Sequence, residues 1–333
     1  MDGPTTLEIC AGAGGTALGV ELAGFKHAGL NEIDGHARRS LLANRPGWPV
    51  LEESDVRQLD GYKFRGIDLL SGGVPCPPFS IAGKQLGHED ERDLFPQALR
   101  LIEEAQPAAV LLENVPGFAS AKFADYRANL IAKLIEGGYE VDWRILNAVD
   151  FGVPQLRPRF ILVAMKKRYW PMFRWPEPRP STVTVGHLLK DLMASGGWHA
   201  AEVWERRADG IAPTIVGGSK KHGGPDLGPT RAKRQWRELG VDGMGIADGP
   251  PDPSFPELGS PRLTCRMVAR LQGFPDTWDF AGGKTAAYRQ IGNALPPPVA
   301  RAVAKSILAA LRGSAEGRPG EQLDGLRSAS SVG

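Results

Sequence analysis

Four short constellations in this 333-residue chain have residue types and spacings suited to chemistry. The first is Gly12-Ala13-Gly14-Gly15-Thr16-Ala17, with Glu32 twenty residues after Gly12. Glycines let a backbone turn tightly against a ligand, and a carboxylate at that distance can accept hydrogen bonds from both hydroxyls of a ribose. The pattern fits a nicotinamide dinucleotide site, an S-adenosylmethionine site or a tight turn with no ligand. Asp55 is a further carboxylate, suited to an adenine amino group or simply solvated on a loop.

The second constellation holds Cys76 between Pro75 and Pro77-Pro78. Prolines fix the backbone, so the side chain they present has little entropy left to lose. A thiol immobilised among glycine and proline reads as a nucleophile rather than a small core residue. Glu113-Asn114-Val115-Pro116 is the third. In a site that excludes water such an acid keeps its proton near neutral pH and can donate it to a ring nitrogen; a Glu-Asn helix cap is the plainer reading. The fourth is Gln155-Leu156-Arg157-Pro158-Arg159. Alternate residues of an extended segment point the same way, so Arg157 and Arg159 can converge on an oxygen or phosphate and stabilise a thiolate, or form a ladder on an edge strand.

These residues need elements to position them. The first 165 residues alternate apolar runs, turns and amphipathic stretches, the pattern of a largely parallel sheet covered by helices. Strands are predicted over 6–10, 27–32, 67–71, 108–114 and 160–164, and helices over 17–23, 35–44, 94–105 (with Asp93 as N-cap) and 123–136. Glu32, Cys76 and Glu113 then fall at the carboxyl edge of the sheet, where open α/β sheets bind ligands. From residue 169 to about 261 the chain turns rich in Pro, Gly, Trp and charge, which predicts a smaller, loop-rich unit. Periodicity returns over 264–273, and 296–312 reads as a proline-started amphipathic helix with Val299, Val303, Ile307 and Leu311 on one face. Residues 313–333 carry little apolar content and are expected to be a disordered tail.

A composition of 42% hydrophobic and 23% charged residues is that of an ordinary globular protein. With a net charge of +2, any polyanion-binding surface must be local. The window 217–237 provides one: Lys220, Lys221, Arg231, Lys233, Arg234 and Arg237 stand against Asp226 alone, beside an acidic stretch over 241–260. Three scattered cysteines, Cys10, Cys76 and Cys265, argue against a disulfide framework and a four-ligand zinc site, and fit a reducing cytosol. No basic leader precedes an apolar stretch, and no window approaches the roughly 18 apolar residues of a membrane span, so neither export nor membrane insertion is expected.

Glycine loop, Pro-Cys, Glu-Asn-Val, Gln-x-Arg-x-Arg, Arg-Leu-Thr with Arg-Leu-Gln-Gly-Phe-Pro, and Gly-Asn-Ala follow one another from Leu7 to about Arg312. In this order the chain resembles the DNA (cytosine-5) methyltransferases of bacterial restriction–modification systems, and a nicotinamide enzyme would need none of the middle three motifs. The resemblance implies an α/β fold: a Rossmann-like S-adenosylmethionine-dependent methyltransferase sheet over 1–180 plus 262–312, with a target recognition domain over 181–261. It implies Cys76 as the nucleophile at carbon 6 of cytosine, Glu113 as the acid at ring nitrogen 3, and Arg159, supported by Arg157, at the ring oxygen. Around S-adenosylmethionine it points to Cys10, Ala13, Gly15, Glu32, Ile33, Asp55, Val56, Pro75, Leu94, Asn293 and Leu295. Cys10 departs from the family's aromatic residue and Pro77 from its Gln, which puts one stacking and one polar contact in doubt.

Carbon 5 of cytosine is a poor nucleophile, and addition of a thiolate at carbon 6 makes it an enamine able to take a methyl group. A stacked base is out of reach, so it must be flipped out and the DNA held by a second wall. Ser80, Thr214, Lys220, Lys221, Arg231 and Arg234 are the candidate DNA contacts. The resemblance further implies double-stranded DNA as partner, a cognate endonuclease acting on the same site, a monomer and a bacterial cytoplasm. A tRNA cytosine-5 methyltransferase would share the catalytic residues.

Overall fold

The computed structural model describes residues 3–75, 93–218 and 224–316. Six strands form one sheet in the order β2-β1-β3-β4-β6-β5: β1 (Thr5–Ile9), β2 (Lys26–Leu30), β3 (Leu69–Gly73), β4 (Ala109–Asn114), β5 (Tyr139–Asn147) and β6 (Pro158–Lys166). The first four run parallel, and β6 lies antiparallel to both β4 and β5. Chain order reverses at β1, which has β2 on one side and β3 on the other. A crevice therefore opens beyond the carboxyl ends of β1 and β3, the place where such sheets take ligands.

Helices α1 (Gly15–Ala23), α2 (Gly35–Asn44), α3 (Phe95–Ala105) and α4 (Ala124–Glu136) link the strands of the first part, and α10 (Pro297–Glu316) returns to pack along α1. Both sheet faces are apolar, because neighbouring strand residues point to opposite sides. Leu70, Leu112 and Leu162 join Phe95, Leu101 and Phe118 in one core. Leu69, Leu111 and Ile161 join Val20, Val299, Val303 and Ile307 in the other.

The five predicted strands and four predicted helices of the first part are all present, displaced by at most two residues at either end. Four expectations need correcting. β5 was not foreseen: it is an edge strand, mostly half-buried, whose Asp142, Arg144 and exposed Ile145 blur the alternation. Leu94, not Asp93, occupies the cap of α3, although the Asp93 carboxylate accepts the Phe95 amide at 3.1 Å. The 181–261 stretch is helical as well as looped: it contains α5 (Val185–Ala194), α6 (Ala201–Arg207) and α7 (Thr230–Glu238) around the buried indoles of Trp198, Trp204 and Trp236. That core is continuous with α8 (Cys265–Leu271) and α9 (Lys284–Asn293). Finally, α10 extends to Glu316, past the predicted end at Arg312; residues 317–333 lie outside the described residues.

Candidate active site and cofactor cavity

Beyond β1 the chain makes its tight turn with Cys10, Gly12 and Gly14 all at positive φ, at 53°, 55° and 89°. A Cβ on Gly15 would sit 2.3 Å from the Leu295 carbonyl oxygen, so only glycine lets the start of α1 approach this late segment. The Trp278 indole donates to the Ala13 carbonyl at 3.1 Å and props the loop from the other side.

The crevice is a cavity of about 530 Å³, within the usual size of a small-ligand pocket. All eleven residues expected around the cofactor line it: Cys10, Ala13, Gly15, Glu32, Ile33, Asp55, Val56, Pro75, Leu94, Asn293 and Leu295. Ile33 is 65% exposed, a large apolar side chain offered to a flat apolar ligand face. Glu32 is buried, and its carboxylate accepts the Gly12 amide on one oxygen and the Asp34 amide on the other, both at 2.7 Å. A carboxylate has about four acceptor positions, so each oxygen keeps one for a ligand hydroxyl. Burial raises its pKa, and the amides of Asp34 and Gly12 pull against that rise. Asp55 caps a short 3-10 turn and binds Arg57 at 2.9 Å, which holds its carboxyl below the usual range.

Glu113, the last residue but one of β4, lies on the wall of the same cavity. Its neighbour across β3 is Gly73, where a Cβ would stand 3.3 Å from the carboxyl oxygen. On the other side Arg159 of β6 reaches it, with Nε 2.9 Å from Glu113 Oε1 and both side chains about nine-tenths buried. Burial raises the Glu113 pKa, and the positive charge of Arg159, then that of Arg157, opposes the rise. Asn114 donates to the Val74 carbonyl at 2.8 Å, and the Leu94 amide to the Pro75 carbonyl at 3.3 Å. Val74, Pro75 and Leu94, which flank residues 76–92 in sequence, are thus tied down at the cavity, while Cys76 and Ser80 themselves lie outside the described residues. The other two cysteines are poor nucleophiles: burial, then the charges of Glu32, Glu8 and Asp55, pushes the Cys10 thiol up to about 12, and burial also raises Cys265.

Arg157 does not converge with Arg159 on this site. It is fully buried and donates instead to main-chain carbonyls of Ile215, Gly292 and Ala294. The reason lies in the packing: Gln155 accepts the Ile215 amide at 3.1 Å and the Leu156 amide binds the Ala212 carbonyl, so the start of the Gln-x-Arg segment lies alongside 212–215. Thr214 belongs to that pairing, with its hydroxyl 2.5 Å from the Leu156 carbonyl. Arg231 and Arg234 lie on the outer side of α7, while Lys220 and Lys221 lie outside the described residues. Sequence reasoning missed Gly218, Arg289 and Gln290 in the cavity wall: Gly218 comes from a segment no motif had linked to the cavity, and the other two from the turn of α9 before Asn293.

The family model of the C-5 cytosine-specific DNA methylases matches residues 5–309. The chain belongs to that family. It is 55% identical over 321 residues to the Type II methyltransferase M.NaeI of Lentzea aerocolonigenes, covering 96% of this chain and 78% of that one. It is 51% identical to M.NgoMIV of Neisseria gonorrhoeae, covering 92% and 98%. Among solved structures, a mutant DNMT2 of Spodoptera frugiperda superposes with a TM-score of 0.66 at 18% identity, covering 91% and 99%, a likeness of fold alone. This methylase acts on carbon 5 of cytosine in DNA with S-adenosylmethionine as methyl donor. No helix among the described residues is long and apolar enough to cross a membrane.

Proposed function

We propose that the methylase works through a covalent adduct between Cys76 and carbon 6 of a cytosine flipped out of duplex DNA. The carrying observation is the buried Glu113–Arg159 pair, whose Glu113 lines the same cavity as Pro75, the residue bonded to Cys76. A carboxyl whose pKa is raised by burial can hold a proton for ring nitrogen 3, and Arg159 keeps that carboxyl aimed while offering donors to the ring oxygen. Cys76 would add to carbon 6 as its thiolate while nitrogen 3 takes the Glu113 proton, which makes carbon 5 able to take a methyl group; a base then removes the carbon-5 proton, and the thiolate leaves carbon 6 as the nitrogen-3 proton returns to Glu113.

The cavity's donor set fits S-adenosylmethionine. The free acceptor positions of Glu32 match two ribose hydroxyls, Asp55 an adenine amino group, and Ile33 and Val56 the adenine faces; Cys10, Ala13, Gly15, Pro75, Leu94, Asn293 and Leu295 would complete the enclosure. When bound, the cofactor supplies an electrophilic methyl group. The 181–261 unit would hold DNA through Thr214, Arg231 and Arg234 together with Ser80, Lys220 and Lys221. We further propose a monomeric, cytoplasmic bacterial enzyme with a cognate endonuclease, as in the restriction–modification setting of its relatives.

Flipping is read directly by fluorescence. Bisulfite sequencing of DNA from producing cells locates the target cytosine, and a duplex with 2-aminopurine in its place should brighten several-fold on binding. Binding without brightening would contradict flipping.

A further inference from the structure

Arg157 is the largest fully buried charged side chain, and among the described residues no carboxylate forms an ion pair with it. Its guanidinium is held by carbonyls from two separate segments: Ile215 at 2.5 Å on one side, Gly292 at 2.6 Å and Ala294 at 2.9 Å on the other. The last two belong to the carboxyl end of α9, where helix dipoles favour a cation. At the same point the chains touch: a Cβ on Gly217 would lie 2.5 Å from the Arg289 carbonyl oxygen, and one on Gly292 would lie 2.4 Å from the Gly217 nitrogen. One residue further, Gly218 accepts a hydrogen bond from Asn293 at 3.2 Å and lines the cofactor cavity beside it. The 212–218 segment of the proposed DNA-recognition unit therefore reaches the cofactor enclosure at its end, Gly218.

We infer that Arg157 is a positioning residue that fixes this strap against α9, so that cofactor binding and DNA binding each favour the same arrangement of the junction. The inference rests on the cavity taking S-adenosylmethionine and the 181–261 unit taking DNA. A ligand on either side of the strap orders a segment the other ligand needs ordered, which makes the coupling reciprocal. Arg157 does this without touching cytosine: only a planar fork can face carbonyls on both sides at once.

The test compares affinity for the cofactor, read by calorimetry with its non-transferring product S-adenosylhomocysteine so that no turnover occurs, with and without saturating fragments of unmethylated plasmid DNA. The wild-type protein should bind the cofactor about fivefold more tightly, or better, with DNA present, within the usual range of coupling. Arg157→Lys keeps the charge on a single nitrogen and should reduce that ratio to within about twofold of unity. Gly292→Ala, which pushes the strap off α9 by contact alone, should do the same and decides the matter if Arg157→Lys does not fold. A merely structural arginine would lower the melting temperature and leave the ratio at the wild-type value, and that result overturns the inference. Unchanged cofactor affinity in Glu32→Ala would instead remove the cofactor from this cavity, a separate failure.

Discussion

Glu32 carries two tasks with one carboxylate: it ties Gly12 to the start of α2 through two amides and keeps acceptor positions toward the cavity. Hydrogen bonds to charged groups contribute about 1.5–3 kcal/mol. Glu32→Ala should therefore weaken S-adenosylmethionine binding by about one to two orders of magnitude in calorimetry, and unchanged affinity would take Glu32 out of the site. At this scale much was legible. Spacing from a glycine loop found Glu32, and position at a strand end found Glu113, because both follow from one strand and its turn. The orientation of Arg157 was not legible, since alternation along Gln155–Arg159 says which residues share a face but not what covers that face. Ile215 and Gly292, distant in sequence, decide it.

Near the glycine loop, β1 and β2 carry buried polar side chains. Glu8 is fully buried, receives the Ser71 hydroxyl at 3.3 Å, and has one oxygen without a partner; Thr6 Oγ1 and His27 Nδ1 are likewise orphaned. Burial lifts the Glu8 pKa from 4.5 to about 8 and lowers that of His27 from 6.5 to about 4. The folded state thus binds the Glu8 proton more tightly than the unfolded chain does, and its contribution, full below pH 4.5, is lost as pH rises to about 8. His27 acts oppositely, losing stability as pH falls from 6.5 to about 4, so the two offset one another between 4.5 and 6.5. From pH 6.5 to about 8 His27 no longer offsets the Glu8 slope, which is about 1.4 kcal/mol per pH unit. Urea unfolding across that window should show stability falling with pH in the wild-type protein and a flatter profile in Glu8→Gln; parallel profiles would refute the assignment. Elements with two buried faces or a clear amphipathic stripe could be read from sequence. The edge strand β5 and helices α5–α7 could not: β5 has a single strand partner, β6, and the three helices lie among Pro- and Gly-rich turns that mask short periodic runs.

The whole molecule sets a nearly neutral chain around a locally basic helix. Trp236 and Ala232 anchor α7 inward while Arg231, Arg234 and Arg237 face out, and Lys233 is paired with Asp226 at 2.9 Å. Replacing Arg231 and Arg234 with Ala should weaken DNA binding and flatten the log–log salt dependence by up to about 0.9 for each phosphate no longer neutralised. An unchanged slope would place the DNA elsewhere. The central claim, however, is the bond between Cys76 and cytosine, and it can be trapped. Duplex DNA carrying 5-fluorocytosine at the target position cannot lose its carbon-5 substituent as a cation, so with S-adenosylmethionine present the adduct should survive denaturing electrophoresis. Wild-type protein, Cys10→Ala and Cys265→Ala should all be trapped, and Cys76→Ala should bind DNA yet form no adduct and transfer no methyl group. An adduct or methylation with Cys76→Ala would contradict the account.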